Sequence, residues 1–302
     1  MKELDYQKTV NRVGITTIIA NIVLALGKII AGFIASSSSL VSDGVHSSSD
    51  VVSTVIVMIG AKISQKESDE DHPFGHERLE SIASIILSMI LIATALMIGY
   101  DGVINIIKYA KGERETYNFT LTIVALGFAV LSIIVKAWMY FYTLKAAKRI
   151  SSSSLKADAF HHLTDSLSSI GSTLGIIGLL IGGDLVILDP IASIIIALFI
   201  IKVGIDIAKE AIDQVVDKSA PSEFENALRE IISEKKNILS LDSLKTRQFG
   251  NKYYVEIEIA VDDKLTVKEG HDIALDLHDD IESRYNNIKH CMIHVNPYEK
   301  EK

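Results

Sequence analysis

Three stretches of this chain, Val13–Ile34, Ser81–Tyr100 and Phe119–Tyr140, are predominantly apolar over about 20 residues, the length at which a helix crosses a bilayer. Nothing else constrains the fold as strongly. In hydrocarbon a segment must satisfy its own backbone polar groups, which commits each stretch to helix. Val51–Gly60 and Ile170–Ile181 extend two polar stretches, and Ile191–Ile201 is the centre of another apolar segment, so six spans are expected. The chain is 48% hydrophobic and 23% charged, so its apolar residues must be gathered into blocks. The charged opening Met1–Asn11 runs into an apolar segment longer than a secretory h-region, without a small-residue cleavage site. Val13–Ile34 therefore reads as a retained first helix. The lone cysteine, Cys291, excludes an internal disulfide and a CxxC metal knuckle.

Loop charge orients the spans. Lys2, Lys8 and Arg12 precede the first, Lys62, Lys66 and Arg78 lie between the second and third, and Lys145, Lys148, Arg149 and Lys156 lie between the fourth and fifth. The Gly182–Pro190 loop has no basic residue. The positive-inside rule then places both termini in the cytoplasm, with the Lys108–Arg114 loop as the exception.

One polar pattern occurs twice. Ser36–Asp50 and Ser151–Asp165 both read SSSSL, two residues, Asp, two residues, His, three residues, Asp. The copies enter the membrane from opposite sides, as in transporters built of two inverted three-helix halves with a site near the midplane. His and Asp four apart share a helix face, about 6 Å apart along the axis. Antiparallel packing sets His46 opposite Asp165 and Asp50 opposite His161. An unpaired charge at such depth costs about 2.5–3.5 kcal/mol or more, which pairing around a dication removes. Mixed imidazole and carboxylate donors suit Zn²⁺ in a four-coordinate site, and Fe²⁺, Mn²⁺, Co²⁺ and Cd²⁺ are the alternatives. The serines read as helix N-caps, Ser38 or Ser39 and Ser153 or Ser154. Asp43 and Asp158 stand near the helix ends. His162 points about 100° away from His161, toward packing or a hydrogen bond. Lys28, Lys136 and Lys202 read as structural lysines that snorkel toward the helix ends.

From Ile212 onward 19 acidic residues face 13 basic ones, which marks residues 212–302 as an acidic folded domain after a 1–211 membrane domain. Phe224, Leu228, Ile231 and Ile232 have helical spacing within Ser222–Lys235. Val255, Ile257, Ile259 and Val261 alternate along a strand, with Ser243–Phe249 its partner across Gly250-Asn251. Thr266–Tyr285 reads as a helix and Cys291–Val295 as a last strand, giving an αββαβ, α+β domain. Asp69, His72 and His76 form a second ligand-type set in the loop before the third span, where Pro73 and Gly75 impose a turn.

These residues together resemble the cation diffusion facilitator family of divalent-metal/proton antiporters over nearly the whole chain. The resemblance rests on the six spans, His46 and Asp50, "HHLTD" (161–165), "DHPFGHERLE" (71–80) and "LKTRQFG" (244–250). It implies a polytopic six-helix membrane protein with a ferredoxin-like, metallochaperone-like cytoplasmic domain. It implies a transport site at His46, Asp50, His161 and Asp165, in the zinc-type arrangement, and a loop site at Asp69, His72 and His76. It also implies a dimeric tail with a metal site to which His271 and His294 belong. Asp242, Glu258 and Asn296 stand where some relatives have His, His and Asp, which makes that site oxygen-richer. Arg78 and Asp217 match a charge pair that ties the third helix to the tail.

The expected function is efflux of a divalent cation, Zn²⁺ foremost, in exchange for protons by alternating access. Zn²⁺ is the transported ion and a candidate structural ion, with no organic cofactor. The expected partners are metal ions, protons, the lipid bilayer and a second copy of the chain, without nucleic acid; the plasma membrane is the expected location. An intramembrane hydrolase would need an open metal position and an adjacent acid or base, which the repeated motif does not offer. A membrane-anchored metal sensor would gain nothing from ligands inside its anchor.

Overall fold

A computed structural model describes residues 3–34, 38–112, 119–181, 187–249, 252–285 and 287–298. The chain divides into two compact units, Lys2–Ile212 and Asp213–Lys302. The first is helical: α1 Glu3–Ile34, α2 Ser38–Ser64, α3 Arg78–Ala110, α4 Phe119–Ile150, α5 Ser153–Ile181 and α6 Leu188–Val215. Among the described residues four segments are long and apolar enough to cross a membrane: Asp5–Ala31, Arg78–Ala110, Leu126–Ile150 and Pro190–Val215. The other two helices, α2 and α5, carry the repeated polar pattern, and at 27 and 29 residues they are long enough in helical rise alone.

This unit has an apolar outer face, as lipid rather than water selects, and buries polar side chains beside an apolar core. Val23, Met97, Phe141 and Leu198 are each more than 60% exposed, whereas Thr17, Asn21, Ser84 and Ser88 are buried. Close packing comes from α1 along α2 and from α4 along α5, the corresponding pairs of the two halves. Small residues permit it. A Cβ on Gly44 would lie 2.6 Å from Ile29 Cγ1 and 3.0 Å from the Ala25 carbonyl oxygen; between α2 and α3, one on Gly60 would lie 2.5 Å from Ala83 Cβ.

The second SSSSL stretch is a corner, with a task for each serine. Ser151, with φ 51°, stops α4 in the left-handed region while the Ser152 N–H bonds back to the Ala147 carbonyl at 3.0 Å. Ser152 then caps α5, its Oγ accepting from the Leu155 N–H at 3.2 Å. The N-cap therefore sits one residue before the predicted Ser153 or Ser154, because the chain leaves α4 through a one-residue left-handed step. The predicted caps of the first copy, Ser38 and Ser39, have side chains outside the described residues, as has Asp43.

The second unit contains α7 Ser222–Glu234, β1 Ser240–Phe249, β2 Lys252–Val261, α8 Val267–Arg284 and β3 Ile288–Pro297. The order is αββαβ, and the sheet order is β1-β2-β3, antiparallel between β1 and β2 and parallel between β2 and β3. A parallel neighbour requires a crossover, which α8 supplies. Val255, Ile257, Ile259 and Val261 pack with Leu228, Ile231, Ile232, Leu277, Ile281 and Cys291 in one apolar core. Thr266 caps α8 in a reciprocal box with Glu269. Gly250 and Asn251 lie outside the described residues.

Candidate metal centre

Asp50 on α2 and His161 and Asp165 on α5 meet inside the helical unit. Their ligand atoms all lie within 4.8 Å of one another. His161 Nε2 is 3.4 Å from Asp50 Oδ1 and 3.9 Å from Asp165 Oδ2. That nitrogen is buried and aligned for no hydrogen bond, so it presents a lone pair or a proton to the carboxylates rather than to the backbone. Asp50 meets His161 while Thr54, one turn on, donates to Asp158 Oδ1 at 3.3 Å, one turn back. The two helices thus run antiparallel, as the inverted repeat requires. The His46 side chain lies outside the described residues; its backbone is part of α2, one turn before Asp50.

A lysine completes the cluster. Lys136 Nζ on α4 donates to Asp50 Oδ2 at 2.6 Å and to Asp165 Oδ2 at 2.8 Å, with a side chain only 3% exposed. This corrects the snorkelling assignment. Lys136 stands near the middle of the 32-residue α4, too far from either end for its amine to reach water. Lys28 is also buried and donates to Ser47 Oγ at 3.0 Å, whereas Lys202 is exposed as expected. Next to this cluster on α5, Asp158 and His162 are both fully buried, with His162 Nε2 3.5 Å from Asp158 Oδ2. Neither His162 ring nitrogen is aligned for a hydrogen bond, so among the described residues the side chain is buried beside Asp158 rather than bonded to it.

The loop set also comes together. Asp69, His72 and His76 hold ligand atoms within 4.8 Å. Gly75, at φ +93°, makes the turn, with its N–H on the His72 carbonyl at 3.0 Å. Asp69 Oδ1 accepts from the His72 N–H at 2.8 Å, and the two imidazole centroids lie 4.4 Å apart. His76 is buried although Asp69 and His72 reach solvent. The Lys66 ammonium, 2.5 Å from Asp69 Oδ2, together with the His72 N–H, holds the Asp69 carboxyl well below the usual carboxylate range.

The tail set does not assemble in the same way. Among the described residues His271, His294, Asp242 and Glu258 form no such group within one chain. Glu258 and His294 are register partners on β2 and β3, and Asp242 instead accepts from Asn296 Nδ2 at 3.0 Å and Ser240 Oγ at 2.7 Å. His271 is exposed on α8. Arg78 and Asp217 belong to different units. Asp217, at φ 62°, ends α6 in the left-handed region and lies 3.7 Å from Arg247.

A buried carboxylate escaped the sequence reading. Glu80 on α3 accepts from Tyr6 OH at 2.7 Å, Ser152 Oγ at 2.5 Å and Ser154 Oγ at 3.3 Å. Ser84 on the same helix donates to Ser153 at 3.0 Å. The serine run therefore seats a carboxylate at the N-terminus of α5, where the helix dipole favours negative charge. The available signal is Glu80 itself, an acid in the first turn of a strongly apolar helix.

Residues 15–216 match the family model of the cation efflux transmembrane domain, and residues 220–298 match that of the cation efflux protein cytoplasmic domain. An uncharacterized transporter of Methanocaldococcus jannaschii is 36% identical over 287 residues, covering 93% of this chain and 96% of that protein. Two Bacillus subtilis proteins named for manganese efflux are also similar over nearly their full lengths. MneS is 31% identical over 304 residues, covering 100% of both chains, and MneP is 29% identical over 295 residues, covering 96% of this chain and 97% of that protein. With both parts of the chain matched and the relatives collinear from end to end, this protein is a transporter rather than an enzyme, a member of the cation diffusion facilitator family of cation efflux proteins.

Proposed function

We propose that the protein exports a divalent first-row metal ion in exchange for protons, and that Asp50, His161 and Asp165, with His46, hold the ion in transit. One observation carries this reading. Two carboxylates and an imidazole nitrogen converge inside a helical unit whose outer face is apolar, and buried ionisable residues in a membrane are costly unless they serve a pathway. Residues 1–211 form the transmembrane part, in which α2 and α5 cross alongside the four more apolar helices. Residues 212–302 form a cytoplasmic part through which two copies pair, and the plasma membrane is the setting. Imidazole and carboxylate ligands must be deprotonated to bind a metal, so protons entering from the far side release it.

Zn²⁺ is the ion that the imidazole and carboxylate donors suit best. The names of two collinear relatives favour a second reading, Mn²⁺, for which oxygen-rich donors are apt. The loop set at Asp69, His72 and His76 supplies metal at the cytoplasmic mouth. The tail residues His271, His294, Asp242 and Glu258 serve as a metal site across the dimer.

The test is metal uptake into sealed vesicles containing the purified chain, with an imposed pH gradient and Zn²⁺ and Mn²⁺ supplied separately. Zn²⁺ flux faster than Mn²⁺ flux, and abolished when the gradient is collapsed, is expected. Faster Mn²⁺ flux selects the second reading; flux of either ion that ignores the gradient removes proton exchange.

A further inference from the structure

We propose that the Lys136 ammonium and the transported cation are alternative occupants of one carboxylate pair, so that Lys136 sets the affinity at which the ion is taken up and released. This rests on the reading that Asp50, His161 and Asp165 hold the ion. The argument is geometric. Lys136 Nζ lies 2.6 Å from Asp50 Oδ2 and 2.8 Å from Asp165 Oδ2, which places it between the two oxygens a metal would bridge. A zinc ion binds carboxylate oxygen at about 2.0–2.2 Å. An ammonium and a dication on the same two oxygens would therefore be nearly in contact, and like charges so close repel strongly where water is excluded.

Charge counting gives the same answer. Two carboxylates balance one dication, or carry one excess negative charge with the lysine. With both cations the pair would carry one excess positive charge in a place where the Lys136 and Asp50 side chains are only 3% and 4% exposed. Lysine is suited to leaving, since its ammonium is a point charge on a flexible four-carbon stem. Lys136 also comes from α4, whereas the ligands come from α2 and α5. Exchange of metal for lysine thus changes which helices are tied together, a link between occupancy and the rocking of the helices.

The experiment is equilibrium Zn²⁺ and Mn²⁺ binding to the full-length chain in detergent, with His72→Ala and His76→Ala in every sample to remove the loop ligands. Lys136→Gln is expected to tighten binding about tenfold or more, within the range by which groups contacting metal ligands change affinity. Lys136→Arg, which keeps the charge, is expected to stay within about threefold of the parent, below that range. Unchanged or weaker binding by a folded Lys136→Gln chain, while Asp50→Asn still abolishes binding, overturns the competition and leaves the transport site standing. Binding that survives Asp50→Asn overturns the site reading and, with it, the competition. Should Lys136→Gln not fold, the parent chain labelled with ¹³C at lysine Cε answers instead. The Lys136 resonance, assigned by its loss in Lys136→Arg, is expected to shift on metal saturation, and a resonance that does not move overturns the proposal.

Discussion

The two candidate ligand groups of this protein use nearly the same parts in opposite surroundings. Each combines carboxylate, imidazole and a lysine. In the loop, the Lys66 side chain is 60% exposed and pairs with Asp69. Inside the helices, the Lys136 side chain is 3% exposed and bridges two carboxylates from two different helices. An exposed ion pair is screened and worth little, whereas a buried one is costly to break because the surviving charge has no water to turn to. The same composition therefore stands open to solvent in one place and is locked among helices in the other.

Breaking the buried group is the most severe test of that contrast. Asp165→Ala leaves Lys136 with a single carboxylate and is expected to cost about 3–5 kcal/mol, the usual penalty for removing one partner of a buried pair. Thermal unfolding in detergent reads it. The double variant Asp165→Ala/Lys136→Met should be less destabilised than the sum of its single variants, since the two groups act as one unit.

Glu80 sharpens the comparison from a third side, because it is a buried carboxylate held by hydroxyl partners, outside both ligand-type clusters found among the described residues. Glu80→Ala orphans Tyr6 and Ser152 and is expected to cost about 1–3 kcal/mol by the same assay. Zn²⁺ flux by the folded fraction should persist.

The loop variants should be milder. His72→Ala with His76→Ala is expected to slow flux only at sub-saturating metal and to leave the maximal rate unchanged, as read from rate against metal concentration. Smallest of all is Lys66→Met. Asp69 is held low by Lys66, so its ionised form is favoured above the ordinary carboxyl value near 3.9. That advantage fades only as pH falls through the depressed value. The variant should bring the Asp69 titration, followed by NMR, up toward the ordinary value, without a detectable change in unfolding temperature.

Much of this was legible in the sequence, for reasons that separate local from distant information. The i, i+4 spacing of His161 and Asp165 fixes a shared helix face without any knowledge of neighbours. The alternation of Val255, Ile257, Ile259 and Val261 likewise predicts the buried face of β2. The Asp50–His161 encounter followed from the inverted repeat, which supplies a direction for each helix. Lys136 and Glu80 were misjudged or missed because their partners lie 86 and 74 positions away, on helices whose rotation no local pattern reveals. The SSSSL run reads as a cap because serine at a helix start usually is one. That it also ends α4 and receives Glu80 depends on a single left-handed residue, Ser151, and on a helix that the run itself does not encode.

The most direct test of the central claim sets the two groups against each other in sealed vesicles under an inward-to-outward pH gradient. Asp50→Ala and Asp165→Ala are compared with His72→Ala/His76→Ala, and every variant is first shown to be folded and inserted. Metal flux lost in both aspartate variants and retained in the loop variant is the predicted result. Flux that survives both aspartate variants would place the ion's path elsewhere and contradict the account.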